Sequence, residues 1–135
     1  SIDYPVVWGK DDKYYLDHGF NGEKQSGGTI FADSQNIPFV SANTIFYGHN
    51  MKDGSMFGDL KKYRDPGFLK EHPNVEIFYQ GQWITCPIIL AKVTDETDGT
   101  PYQKGERKIL TLSTCYGTSK RMILQALIPV AGGMN

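Results

Sequence analysis

Three side chains in this sequence could together make and resolve an acyl intermediate. Cys115 can supply a thiolate nucleophile, His49 a proton donor and acceptor, and Arg121 an always-charged donor fork for an oxyanion. Cys115 closes the run Ile109-Leu110-Thr111-Leu112-Ser113-Thr114-Cys115 and is followed by Tyr116-Gly117-Thr118, so its thiol falls where a strand opens into a polar loop. His49 sits in Tyr47-Gly48-His49-Asn50-Met51, where another apolar run gives out, and Arg121 begins the segment after Cys115. Taken singly, each has a plain structural reading: a buried cysteine, a hydrogen-bonding surface histidine, a strand-end charge. A nucleophile, a base and a cationic oxyanion donor at three strand edges form a complete acyl-transfer set.

The elements that must position these residues read mainly as strands. Thr29–Ala32 follows Gly27-Gly28, and Asn43–Tyr47 precedes Gly48; both are β-branched and aromatic runs bounded by turn formers. Val75–Tyr79, the turn Gln80-Gly81 and Gln82–Val93 form a hairpin with one long arm. Lys108–Cys115 and Lys120–Val130 complete the set, with a further short strand near Tyr14–Leu16 in the Tyr- and Gly-rich stretch from Ser1 to Gln25. Apolar residues spaced by three to five from Met56 to Leu69 predict two short helices, Met56–Tyr63 and Pro66–Glu71, divided at Asp65-Pro66 because proline disfavours helix at the residue before it. Thr94–Glu106 reads as a surface loop. Strands at regular spacing with one helical excursion predict a mainly β fold, a closed barrel of about seven to eight strands.

Composition narrows the function classes. The chain has 135 residues, 39% hydrophobic and 21% charged, which fits one globular domain spanning 1–135. Fourteen Lys and Arg against fifteen Asp and Glu give a net charge of −1 with no basic stripe, which argues against a nucleic-acid partner. No apolar run approaches the roughly eighteen residues needed to span a bilayer, and the start at Ser1 is read as that of an ectodomain trimmed of upstream sequence. Cys86 and Cys115 are too few for a disulfide scaffold, and His18, His49 and His72 do not bracket them at zinc spacing, so neither metal nor cofactor is expected. Asp95 and Glu96 are adjacent but lack a glycine-turned ligand loop for calcium. Cys86 is read as a buried strand residue, His18 and His72 as surface residues, and Trp8 and Trp83 as packed in or against the barrel.

The string Thr111-Leu112-Ser113-Thr114-Cys115, with Arg121 downstream and Tyr47-Gly48-His49-Asn50 upstream, resembles the sortase family of Gram-positive cell-surface transpeptidases. The run from Asn43 to Leu60, the segment Gly27–Phe31 and Ser113 two before the cysteine are similar to its class B branch. One departure stands out: class B members carry a long helix-bearing insertion before the strand that ends in the cysteine, and Thr94–Glu106 is too short for it. That insertion forms one wall of the substrate groove, so the chain resembles a compact class B-like sortase, with pilus assembly among the roles the resemblance admits.

The resemblance implies that Cys115 attacks a Thr carbonyl in a C-terminal sorting signal, that Arg121 stabilises the oxyanion and that His49 protonates the leaving amine. An amine from a peptidoglycan cross-bridge or a pilin Lys would then resolve the thioester, with ping-pong kinetics. Ser113, Thr114 and Tyr116 are expected to line the substrate groove. The resemblance also implies an extracytoplasmic location at the cell membrane, with an anchor in a segment absent here. Two other readings stay open: a cysteine peptidase passing the same acyl group to water, and a non-catalytic barrel that binds an extended peptide along an open edge.

Overall fold

Alternation of side chains along the chain builds one seven-stranded sheet. The computed structural model describes residues 2–9, 11–19 and 21–129. Its strands are β1 (Val6–Trp8), β2 (Ile30–Ala32), β3 (Asn43–Tyr47), β4 (Asn74–Tyr79), β5 (Gln82–Asp95), β6 (Ile109–Tyr116) and β7 (Lys120–Leu127), in the sheet order β1-β2-β3-β6-β7-β5-β4. Pairs β1/β2 and β3/β6 are parallel and the others antiparallel. The sheet curls as a half-barrel, mainly β with short helices, as expected. Val130, assigned to the last strand from sequence, lies outside the described residues.

The hairpin forms where two residues can both take the left-handed conformation that matches strand twist. Gln80 at φ 51° and Gly81 at φ 79° are those residues, and Phe78 faces Trp83 across them. Between Ile88 and Leu90 the β5/β7 register shifts, and the additional residue Ile89 is left exposed. The helix α1 (Pro66–Glu71) begins as the sequence predicts: Asp65 accepts from the Gly67 N–H at 3.0 Å, and Pro66 occupies the first turn, where its missing N–H is harmless.

The core lies on one face of the sheet. Ile30, Ala32, Phe46, Leu110, Leu112, Met122 and Leu124 from the central strands pack with Phe57 and Leu60 from the excursion after β3. Strands β6 and β7 are buried on both faces because a 3-10 turn, Thr100–Tyr102, covers the other side. A polar network holds that turn down. Asn43 Nδ2 donates to the carbonyls of Pro101 and Gln103, both at 2.9 Å, Thr111 Oγ1 donates to Asn43 Oδ1 at 2.7 Å, and Gln125 Nε2 donates to the Pro101 carbonyl at 2.9 Å. The buried polar groups of Asn43 and Thr111 and the half-buried Gln125 amide are thereby satisfied, which lets a loop without an apolar helix sit on a central sheet.

Three expectations are corrected. Tyr14–Leu16 is a 3-10 turn and not a strand, because the Asp11 carboxylate accepts from the N–H groups of Lys13 and Tyr14 and starts a turn there. The helix placed at Met56–Tyr63 begins later, as a 3-10 helix over Gly58–Arg64, since Met56 sits at φ 54° and cannot start a right-handed helix. Trp8 and Trp83 do not pack into the barrel: they are 52% and 67% exposed, and Trp83 rests against Phe78 with ring centroids 5.2 Å apart.

Candidate active site

Register brings the three chemistry-bearing residues to one level of the sheet. Tyr47 pairs with Ser113 in β3/β6, so His49, two residues further, comes level with Cys115; Cys115 pairs directly with Arg121 in β6/β7. The two-residue period then sets Tyr47, Ser113, Cys115 and Arg121 on the same face, opposite the core. That face opens into a cleft of about 420 Å³ lined by His49, Cys115 and Arg121. Phe31, Tyr47 and Ser113 line it from the sheet, and Asp12 and Leu16 from the N-terminal segment.

Each of the three is held by a different local device. Arg121 is half-buried, anchored between Cys115 of β6 and Thr94 of β5. His49 follows the end of β3 in a loop closed by the Phe57 N–H, which donates to its carbonyl at 2.9 Å, and by a bridge between Asn50 and Met56. Its Nε2 is bonded to the Leu16 carbonyl. A carbonyl only accepts, so Nε2 carries a proton, and in the neutral ring the lone pair is on Nδ1. Cys115 is exposed at the end of β6, and its carbonyl accepts from Asn50 Nδ2 at 2.9 Å.

Of the three flanking residues expected to line a groove, Ser113 does line the cleft, its hydroxyl bonded to Tyr102 Oη at 2.8 Å. Thr114 and Tyr116 fall on the other face of β6. Thr114 is 2% exposed among the core side chains, and Tyr116 packs against the core cluster while its hydroxyl is bonded to Arg64, whose guanidinium lies 5.1 Å from the ring centroid. Tyr47 was not singled out from sequence, although two residues before His49 on a strand is a same-face position. Burial pushes its phenol well above the ordinary range, helped by Asp33, so it remains a neutral donor beside the cleft. Asp95, weighed above as a calcium ligand, is paired with Lys120.

The two thiols differ in environment. Cys86 is 0% exposed in β5, and burial pushes it up to about 11, so it stays a thiol at neutral pH. Iodoacetamide at pH 8 is therefore expected to label the native chain once, at Cys115, and twice after denaturation. Labelling of Cys86 in the folded state, read by peptide mapping, would contradict this placement.

Leu16 reaches His49 because the N-terminal segment is stapled to the start of β2. The Thr29 N–H donates to the Tyr15 carbonyl at 2.9 Å, and Thr29 Oγ1 donates to the His18 carbonyl at 2.9 Å. Gly28 makes this possible: at φ 61°, a Cβ there would lie 2.2 Å from the Tyr15 carbonyl oxygen and 2.6 Å from that of Leu16. Gly28→Ala is expected to destabilise the fold by more than about 1 kcal/mol in thermal unfolding, from both the conformation and the clash. An unchanged melting temperature would mean that the segment does not pack this way.

Comparison with known proteins agrees with this geometry. A family model described as a sortase domain matches residues 1–128. The chain is similar to sortase B of Listeria monocytogenes, 41% identical over 93% of this chain and 64% of that protein, and to sortase B of Staphylococcus aureus, 38% identical over 56% of this chain and 32% of that protein. It thus spans less than two-thirds of the length of either. The Listeria alignment extends over 158 residues while taking in 93% of a 135-residue chain, so that relative carries residues there without counterpart here. Among solved structures, Listeria sortase B superposes with a TM-score of 0.80 at 35% identity, covering 93% of this chain and 87% of that one. Clostridium perfringens sortase B gives 0.81 at 28% identity, covering 93% and 86%, and a Staphylococcus aureus sortase B–substrate complex gives 0.81 at 26%, covering 96% and 74%. The chain belongs to the sortase family, as a class B sortase.

Proposed function

We propose that this chain is a cysteine transpeptidase acting as one catalytic domain over residues 1–135. Its substrate is a C-terminal sorting-signal peptide, cut after Thr and joined to an amine. The observation that carries the reading is that His49, in the loop just past β3, Cys115 on β6 and Arg121, paired with it on β7, line one cleft. The Staphylococcus relative solved as a substrate complex supports a peptide substrate.

In this reading Cys115 Sγ, having given its proton to His49, attacks the Thr carbonyl carbon. The carbonyl electron pair moves to oxygen, where the Arg121 fork stabilises it. Collapse breaks the peptide C–N bond as His49 returns the proton to the departing amine, leaving a thioester on Cys115. An incoming amine then loses a proton to His49 and attacks the thioester carbon, and the thiolate leaves. The amine is a peptidoglycan cross-bridge or a pilin Lys, and the enzyme works outside the cytoplasm at the membrane of a Gram-positive cell.

Exposure of Cys115 favours one competing outcome, transfer of the acyl group to water. Product analysis by mass spectrometry separates the two. Peptides with an Asn-Pro-x-Thr or Leu-Pro-x-Thr-Gly core are incubated with and without triglycine or a Lys-containing peptide. Amide product that rises with acceptor concentration supports transpeptidation, and free acid insensitive to acceptor makes the protein a peptidase.

A further inference from the structure

The β3/β6 ladder gives out just where the site begins. Beyond the paired strands, the Gly48 N–H donates to the Ser113 carbonyl at 3.2 Å. In a parallel ladder the next rung on that side falls two residues further, from position 50 to the Cys115 carbonyl. By then the backbone has turned away to bridge Met56. The Asn50 side chain supplies the rung instead, Nδ2 donating to the Cys115 carbonyl at 2.9 Å. A side-chain amide thus carries the register of β3 and β6 past the end of the backbone ladder, to the level shared by His49 and Cys115.

We propose that Asn50 is a positioning residue, whose amide fixes the Cys115–Tyr116 peptide plane and with it the setting of the Cys115 thiol against His49 and Arg121. The assignment rests on the transpeptidase reading above. A trans peptide directs its N–H opposite to its carbonyl, so holding the Cys115 carbonyl toward Asn50 turns the Tyr116 N–H away from β3. The far end of the same peptide is secured by Tyr116, bonded to Arg64 through its hydroxyl and stacked beneath the guanidinium. Asn50 is half-buried at the strand end, so water can take its place on the carbonyl when the amide is removed. The fold then survives its loss, and the effect appears in reactivity, where small displacements of reacting groups are felt strongly.

Asn50→Leu keeps the size of the side chain and removes the donor; Asn50→Gln keeps a donor on a longer arm. With the full chain and a turned-over peptide from the panel above, Asn50→Leu is expected to lower kcat about 10- to 100-fold. KM should stay within about twofold and the melting temperature should hold, with Asn50→Gln recovering part of the rate. A second readout needs no substrate: the pH profile of Cys115 alkylation by iodoacetamide should move in Asn50→Leu toward the profile of His49→Ala. A wild-type kcat, a loss confined to KM or tracking the melting temperature, or a wild-type alkylation profile would overturn the assignment. If no peptide is turned over, the alkylation profile decides alone. Turnover that survives Cys115→Ala would sink the transpeptidase reading itself, whereas turnover that requires Cys115 but ignores Asn50→Leu would sink only this inference.

Discussion

Cys115→Ala is expected to bring turnover of any sorting-signal peptide down to background, a fall on the order of 10⁴-fold or more. In the proposed mechanism the substitution removes the atom to which the acyl group is bonded, so binding and oxyanion stabilisation have no chemical step left to accelerate. Folding should hardly change. Cys115 is exposed and its side chain lies outside the core cluster, so the truncation opens no buried cavity. Circular dichroism and the melting temperature check the fold while peptide cleavage is followed by mass spectrometry. Persistent cleavage by a folded Cys115→Ala protein would remove both the transpeptidase and the peptidase readings, because both place the chemical step on Cys115.

Arg121→Met is expected to lower kcat by about 10²- to 10³-fold, with KM little altered, because the proposed mechanism then lacks one donor to the developing oxyanion. Arg121 faces Cys115 directly across β6/β7, so its stem is set by the ladder and only its head is free to meet the substrate. Arg121→Lys keeps the charge but replaces a planar fork by a point donor on a flexible stem, and should recover only part of the rate. Steady-state kinetics with one peptide decides this. A loss below tenfold in Arg121→Met, or one carried by KM, would mean that the guanidinium serves ground-state binding or the fold rather than the transition state.

Those parts of the fold were legible where local chemistry and burial agree. The β4/β5 hairpin announces itself through Gln80-Gly81, and α1 through Asp65-Pro66, because a positive-φ pair and a proline at a helix start admit few other conformations. Strands β6 and β7 read clearly as β-rich segments of the right length. Tyr14–Leu16 misled because three aromatic and aliphatic residues look like a strand when the capping effect of Asp11 is overlooked. Trp83 misled because burial was inferred from residue type, whereas at that point β5 pairs with the edge strand β4 and Trp83, 67% exposed, rests against Phe78.

The site divides in the same way. Cys115, His49 and Arg121 stand out as strand-end residues, and one further step of two-residue counting would have added Tyr47. Counting also separates Ser113, which faces the cleft, from Thr114 and Tyr116, which face the core. Asp12 and Leu16 carry no such signal. Leu16 reaches the cleft through packing of the N-terminal segment against Gly28 and Thr29, and Asp12 accepts from the Ser34 N–H at 2.8 Å, contacts between distant parts of the chain that no local pattern encodes. The Thr94–Glu106 connection lacks a helix of class B size, and a polar network from Asn43, Thr111 and Gln125 fixes the 3-10 turn that stands there.

The most direct test is intact-protein mass spectrometry of the wild-type chain mixed with an Asn-Pro-x-Thr or Leu-Pro-x-Thr-Gly peptide in the absence of amine, followed by proteolytic mapping. The account predicts a mass increase equal to the peptide segment ending at Thr, located on Cys115, and discharged as an amide when triglycine is added. Peptide cleavage without any covalent adduct, or an adduct mapped to a residue other than Cys115, would contradict it.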